Sequence, residues 1–138
     1  MWLYEDKEFT NDDQWYGFIY LIENLVNGKK YIGRKFLTKA GYKTVNKKRK
    51  KIRVESDWAD YYGSSPALAK DIEVYGKENF KRTILRLCKT RGECNYLEAK
   101  LIFETDAVLK EEYYNSWIQC KIQASHVKAL HFNSTETS

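Results

Sequence analysis

The chain has 138 residues and a mass of 16.4 kDa, the size of one domain with little left over for a second. Its 43% apolar and 15% aromatic content can build a core and its 31% charged content clothes a solvated surface, which excludes a disordered chain except at the last residues, His131 to Ser138. The net charge of +5 is moderate, and no apolar run approaches the ~20 residues that cross a bilayer.

The first segment, Met1 to Trp15, is acidic and polar, and reads as an extension rather than a signal peptide. Gly17 to Glu23 is dense in β-branched and aromatic residues and reads as a strand. Asn27-Gly28 signals a hairpin, with Lys30 to Lys35 as the returning strand. Phe36 to Ser56 then reads as a long polar connection without clear structure. It contains Lys47, Lys48, Arg49, Lys50, Lys51 and Arg53, six cations interrupted only by Ile52. Two readings of that run stand side by side. It is either a solvated loop or a phosphate-binding arm whose contacts release counterions.

Ser65-Pro66 opens a helix, with serine at the cap and proline in the first turn. Leu68, Ile72 and Tyr75 fall on one face, and Gly76 ends it. Phe80 to Leu87 reads as a third strand. Thr90-Arg91-Gly92-Glu93 fits a capping box, opening a helix to about Leu109 with Cys94, Leu97, Leu101 and Val108 as its buried stripe. The order predicts a small α/β (α+β) domain, a three-stranded antiparallel sheet flanked by helices. Cys88, Cys94 and Cys120 are odd in number and lack zinc-knuckle spacing, so they read as buried thiols of an intracellular, cytoplasmic protein.

The hairpin's parity carries chemical information. If its loop has an even number of residues and turns at Asn27-Gly28, Tyr20 faces Lys35, Ile22 faces Gly33 and Asn24 faces Tyr31. Both tyrosines, Asn24 and Lys35 then share one side, with a side-chain-free notch at Gly33 that could admit a phosphate. An odd loop would split the tyrosines between faces. Glu98 borders the buried stripe of the last helix, where a carboxylate needs a cation or a place at the exposed edge. A divalent metal is one such cation, because Mg²⁺ is often held by one or two carboxylates plus waters and phosphate.

Phe18-Ile19-Tyr20, ten residues, then Tyr31-Ile32-Gly33 resembles the paired motif that names the GIY-YIG nucleases. Tyr61-Tyr62-Gly63-Ser64-Ser65 with Leu68, Tyr75 to Phe80, Asn95-Tyr96-Leu97-Glu98 and Tyr113-Tyr114-Asn115 are similar to phage-borne, homing-type (SegE-like) members. The resemblance implies a nuclease domain over about 16–118, between an extension at 1–15 and a tail at 119–138, with a basic insertion at about 36–56.

It also implies roles. Tyr20 matches the general base or orienter of the attacking water, and Tyr31 a second positioning tyrosine. Tyr61 matches a phosphate or leaving-group contact, Glu98 the metal ligand for one Mg²⁺ or Mn²⁺, and Asn115 an asparagine that shapes the site. Two departures stand out. Phe18 occupies the first glycine's place, with Gly17 one position earlier, and the helix arginine of many members is missing after the second strand. Arg34 and Lys35 are favoured as its replacement over Arg49 or Arg53. A neighbouring Lys35 and a metal-bound water network would lower the tyrosine pKa of about 10 toward a base. The expected activity is metal-dependent hydrolysis of double-stranded DNA by a phage-associated or homing-type endonuclease, with specificity that is modest or comes from a homodimer reading two half-sites. The alternatives are a repair nuclease acting on structured DNA, a catalytically silent nucleic-acid-binding module, and a basic RNA-binding protein.

Overall fold

Gly17 to Asn24 lacks the polar–apolar alternation of a half-solvated strand, and in the computed structural model, which describes residues 1–116, it lies inside the sheet with both faces covered. The three predicted strands are present as β3 (Gly17–Asn24), β4 (Lys30–Phe36) and β7 (Phe80–Cys88), with β3 in the middle and antiparallel to both neighbours. The sheet is nevertheless five-stranded and mixed, with two further strands, β1 (Trp2–Tyr4) and β2 (Lys7–Glu8), in the order β2-β1-β7-β3-β4. This corrects the three-stranded antiparallel expectation. β1 runs parallel to β7, and β2 turns back along β1. Trp2 holds this addition in place. Its ring is 2% exposed, 4.9 Å from that of Phe18, and its indole N–H donates to the Trp58 carbonyl at 2.7 Å.

The second correction concerns the polar stretch. Thr38–Val45 (β5) and Lys48–Glu55 (β6) form a separate two-stranded antiparallel ribbon. Asn46 and Lys47 both have positive φ, 51° and 62°, which gives a two-residue turn matching the strands' twist. No residue of the ribbon joins either core cluster. It leaves the body after Leu37 and returns at Ser56, whose N–H donates to the Leu37 carbonyl at 2.9 Å.

Two helices cover the sheet. α1 (Pro66–Tyr75) starts as expected, with the Ser65 hydroxyl accepting from the Leu68 N–H, and it buries Leu68 against Tyr20, Ile22 and Phe80. α2 (Arg91–Thr105) packs Cys94, Leu97 and Ile102 on Ile19 and Ile32 of the opposite face. The Thr90 cap is present, its hydroxyl accepting from the Glu93 N–H, while the Glu93 carboxylate reaches past the cap residue and accepts from the Lys89 N–H, one residue beyond the expected capping box. The helix stops at Thr105, short of the expected Leu109, because Asp106 adopts a left-handed conformation (φ 54°) and closes it. Among the described residues no helix is long and apolar enough to cross a membrane. Cys120 and the tail at 119–138 lie outside the described residues.

Candidate active site

β4 is an outer strand, so side chains from both faces of the sheet can meet around its free edge. Part of that edge is closed by the segment after α2. Tyr114 N–H donates to the Lys30 carbonyl, and Asn115 acts as a neighbouring strand would. Its Oδ1 accepts from Ile32 N at 3.0 Å and its Nδ2 donates to Ile32 O at 2.7 Å. Beside this staple opens a cavity of about 440 Å³. Tyr20, Tyr31, Arg34, Lys35, Tyr61, Glu98 and Asn115, all the residues singled out for chemistry, line it.

The hairpin parity holds and its register does not. The loop is four residues, Leu25 to Gly28, so Tyr20 opposes Gly33, Ile22 opposes Tyr31 and Lys35 opposes Phe18. Asn24 sets this longer loop: its carbonyl accepts from Gly28 N–H and its Oδ1 from Val26 N–H. The Gly33 notch is therefore not an opening for phosphate. The Tyr20 ring and hydroxyl fill it so closely that any Cβ there would collide with them. Tyr20 itself is 1% exposed, and burial pushes its hydroxyl well above the usual 10, with the neighbouring Tyr61 and Tyr31 adding to the rise. Lys35, expected to face Tyr20 across the hairpin, opposes Phe18 instead.

The other groups form pairs around this ring. Tyr31 shares a hydrogen bond of 3.2 Å with Ser64, and burial raises its pKa against the opposing effects of Ser64 and Arg34. The Tyr61 ring lies 6.0 Å from that of Tyr20 and 4.1 Å beneath the Lys35 ammonium. Lys35 bonds Asp57 at 2.6 Å, and this contact holds the Asp57 carboxyl below its usual range. From the α2 side Glu98, whose side chain is 14% exposed, accepts from Arg34 at 2.7 Å. Burial nonetheless outweighs Arg34 and lifts the Glu98 pKa above the usual 4.5.

Among the described residues no group of three His, Cys, Asp or Glu side chains could hold a metal by itself. Glu98 and Asp57 are the carboxylates lining the cavity. A hard cation that keeps waters and takes substrate oxygens needs no more than one or two such ligands, so the donor set fits magnesium or manganese. Burial has left Glu98 short of positive charge even with Arg34 beside it, which a divalent ion would supply.

The six basic-run residues sit elsewhere. Lys47 is in the ribbon's turn, and Lys48, Arg49, Lys50, Lys51 and Arg53 are on β6, outside the cavity wall. Thr38 and Lys39 of β5 reach the cavity. Arg53 is taken up at the ribbon's base, where it donates to the Thr38 carbonyl at 2.8 Å and approaches the Tyr16 hydroxyl.

Reading the residues alone missed Ser64, Asp57 and Arg82. Arg82 is 5% exposed, stacks on Trp2 and Tyr62, and donates to the carbonyls of Ala59 and Tyr61, fixing the loop that carries Tyr61. Its signal was available, since it alternates with Phe80 and Ile84 on a buried face. Ser64 and Asp57 carried no such mark.

The family model described as "Putative endonuclease segE, GIY-YIG domain" matches residues 2–118. Two curated proteins of Enterobacteria phage T4 are similar. "Putative endonuclease segE" is 35% identical over 101 residues, covering 72% of this chain and 40% of that protein. "Putative endonuclease segD" is 34% identical over 100 residues, covering 72% and 37%. The chain thus spans about two-fifths of the length of the curated relatives it matches. No solved structure matches significantly.

Proposed function

The chain belongs to the SegE-type GIY-YIG endonuclease family, and from that premise we propose that it is a phage-type, metal-dependent endonuclease that hydrolyses phosphodiester bonds of double-stranded DNA inside the host cell. One observation carries the reading. Three tyrosine hydroxyl-bearing rings, two cations and a half-buried carboxylate, drawn from both faces of the sheet, converge on one cavity at the edge of β4.

Hydrolysis joins a water oxygen to phosphorus, breaks the bond to the leaving alkoxide and puts negative charge on the phosphoryl oxygens. Arg34 and Lys35 bring positive charge to that place, Arg34 through a planar fork that matches two phosphate oxygens. Burial raises the Tyr20 pKa, which favours orienting the attacking water by a donated hydrogen bond over acting as its base. Tyr31, steadied by Ser64, and Tyr61, steadied through its carbonyl by Arg82, position substrate around it. Glu98 would hold the Mg²⁺ or Mn²⁺, which supplies Lewis-acid charge and an acidified water when bound. Asn115 keeps β4, and with it Tyr31 and Gly33, in register.

Supercoiled plasmid incubated with the purified chain tests this directly. Nicked or linear product is expected with Mg²⁺ and none with EDTA. Binding without any cutting under either condition would replace this reading with that of a silent DNA-binding module.

A further inference from the structure

The charge of the ribbon is out of proportion to its size. Thr38 to Glu55 holds eight cations and one carboxylate, a net of +7 in a chain whose total is +5, so the rest of the molecule carries −2. Attraction to a polyanion therefore resides in this one element.

Its two faces also differ in chemistry. The cross-strand register sets Tyr42, Thr44, Arg49, Lys51 and Arg53 on one face and Lys39, Lys43, Lys48 and Lys50 on the other, so both arginines share a face and every cation of the opposite face is a lysine. Arg49 lies 3.9 Å over the Tyr42 ring, a cation–π contact that restrains the guanidinium without using its N–H donors. Arginine forks and threonine hydroxyls read base edges, whereas lysines serve as point charges for phosphates. Shape agrees with this division. Eight residues per strand at about 3.3 Å give a ribbon of about 26 Å. Its tight turn keeps the tip narrow, and no core contact obstructs either face. The B-form major groove, about 12 Å wide, admits a two-stranded ribbon. The deep, narrow A-form groove does not.

We propose that the β5–β6 ribbon docks in the major groove of B-form DNA next to the cut. The Tyr42–Arg49 face meets base edges and the lysine face reaches the flanking phosphates. The proposal rests on the endonuclease reading in taking DNA as the polyanion and the β4 cavity as the cutting site. Thr38 and Lys39 at the cavity tie the ribbon's base to that site, and Arg53 anchors it to Tyr16. The ribbon's length spans about 8 base pairs at roughly 3.4 Å each, so its reading is confined to that distance on one side of the cut.

The test begins with binding in EDTA, where nothing is cut. The full chain on a labelled duplex is challenged with plain duplex, duplex containing 7-deazaguanine, duplex with netropsin in its minor groove, and double-stranded RNA of the same sequence. Plain and netropsin-filled duplexes should compete equally, and the 7-deazaguanine duplex and RNA less well, by roughly fivefold or more. Equal competition by either of those two, or failure of the netropsin-filled duplex, overturns the proposal. Next, cuts by the wild type and Arg49→Lys are mapped in Mg²⁺. The substitution keeps the charge and removes the fork, so the distribution of cut positions should shift, and an unchanged distribution overturns the proposal. A wild type that never cuts, with competition as expected, would remove the endonuclease reading and leave the groove docking supported.

Discussion

Arg34 and Lys35 in the cleft each face a carboxylate, at 2.7 and 2.6 Å, whereas the ribbon sets eight cations against the single Glu55. The cleft's cations are held by their partners and by the rings of Phe36 and Tyr61, so they are fixed in position and nearly neutralised as a field. Those of the ribbon are mostly exposed; Arg49 rests on Tyr42 and Arg53 is held at the base, while the lysines generate a field without a facing carboxylate among the described residues. Positioned charge lowers a barrier, and unbalanced charge raises affinity and encounter rate. One protein holds both kinds because they are kept on separate elements.

Removing the cleft's carboxylate should produce the largest effect. Glu98→Gln should lower the cleavage rate on the order of a thousandfold while leaving DNA binding near wild type. It should also raise Tm at pH 7. The Glu98 pKa is raised in the fold, so its ionisation destabilises the folded state as pH climbs through that value. Thermal melts of the two proteins should therefore differ at pH 7 and converge once Glu98 is protonated. A lower Tm for the variant at pH 7 would make the Arg34–Glu98 contact a structural ion pair and place both kinds of charge on the same footing.

Tyr20→Phe comes next, with about 2–4 kcal/mol expected in the barrier. Because the hydroxyl titrates well above 10, the variant should keep the shape of the wild-type pH–rate profile between pH 7 and 10. A rising limb present in the wild type and lost in Tyr20→Phe would restore the tyrosine as a base.

A smaller and differently distributed effect is expected from replacing Lys47, Lys48, Arg49, Lys50 and Lys51 with glutamine. Affinity should fall, and the slope of log K against log salt should flatten by about 2.7 if three phosphate contacts are lost. Titrations at several salt concentrations measure this. Affinity should change more than kcat; a drop confined to kcat would mean that the ribbon supplies a catalytic cation and that the division between the regions is false.

The least effect belongs to Asp57→Asn. Freeing Lys35 from an exposed partner should tighten DNA binding by up to about fivefold. Weaker binding would show that Asp57 holds Lys35 in a productive place and does not compete with phosphate.

The readable parts of the sequence were those with a repeating pattern or a chemical punctuation mark. The runs from Gly17 and Phe80, the Ser65-Pro66 cap and the Thr90 box each signalled an element the fold contains. β1 has three residues, too few for a period, and its strand status depends on Trp2 finding a pocket among distant rings. The ribbon was hidden by its cations. Thr44, Val45, Ile52 and Val54 favour strands, but the lysines between them favour solvent, and only pairing along the whole length resolves the two. In the site, hairpin parity put Tyr20, Tyr31 and Lys35 on one face. The pairing shifted by two because Asn24 closes a four-residue loop where Asn27-Gly28 suggested two. That shift turned Gly33 from a notch for substrate into the seat of the Tyr20 ring.

The ribbon's ends, Leu37 and Ser56, are joined by a backbone hydrogen bond of 2.9 Å, and nothing between them enters the core. Such an element is a cassette. Excised between those two residues and bridged by a short turn, it leaves both core clusters intact; exchanged beyond its base, with Thr38, Lys39, Arg53 and Glu55 kept, it offers a different face to DNA while the cleft wall stays in place. A lineage of these proteins could therefore change what it visits without relearning how to cut, and an engineer could do the same by grafting between the same two positions.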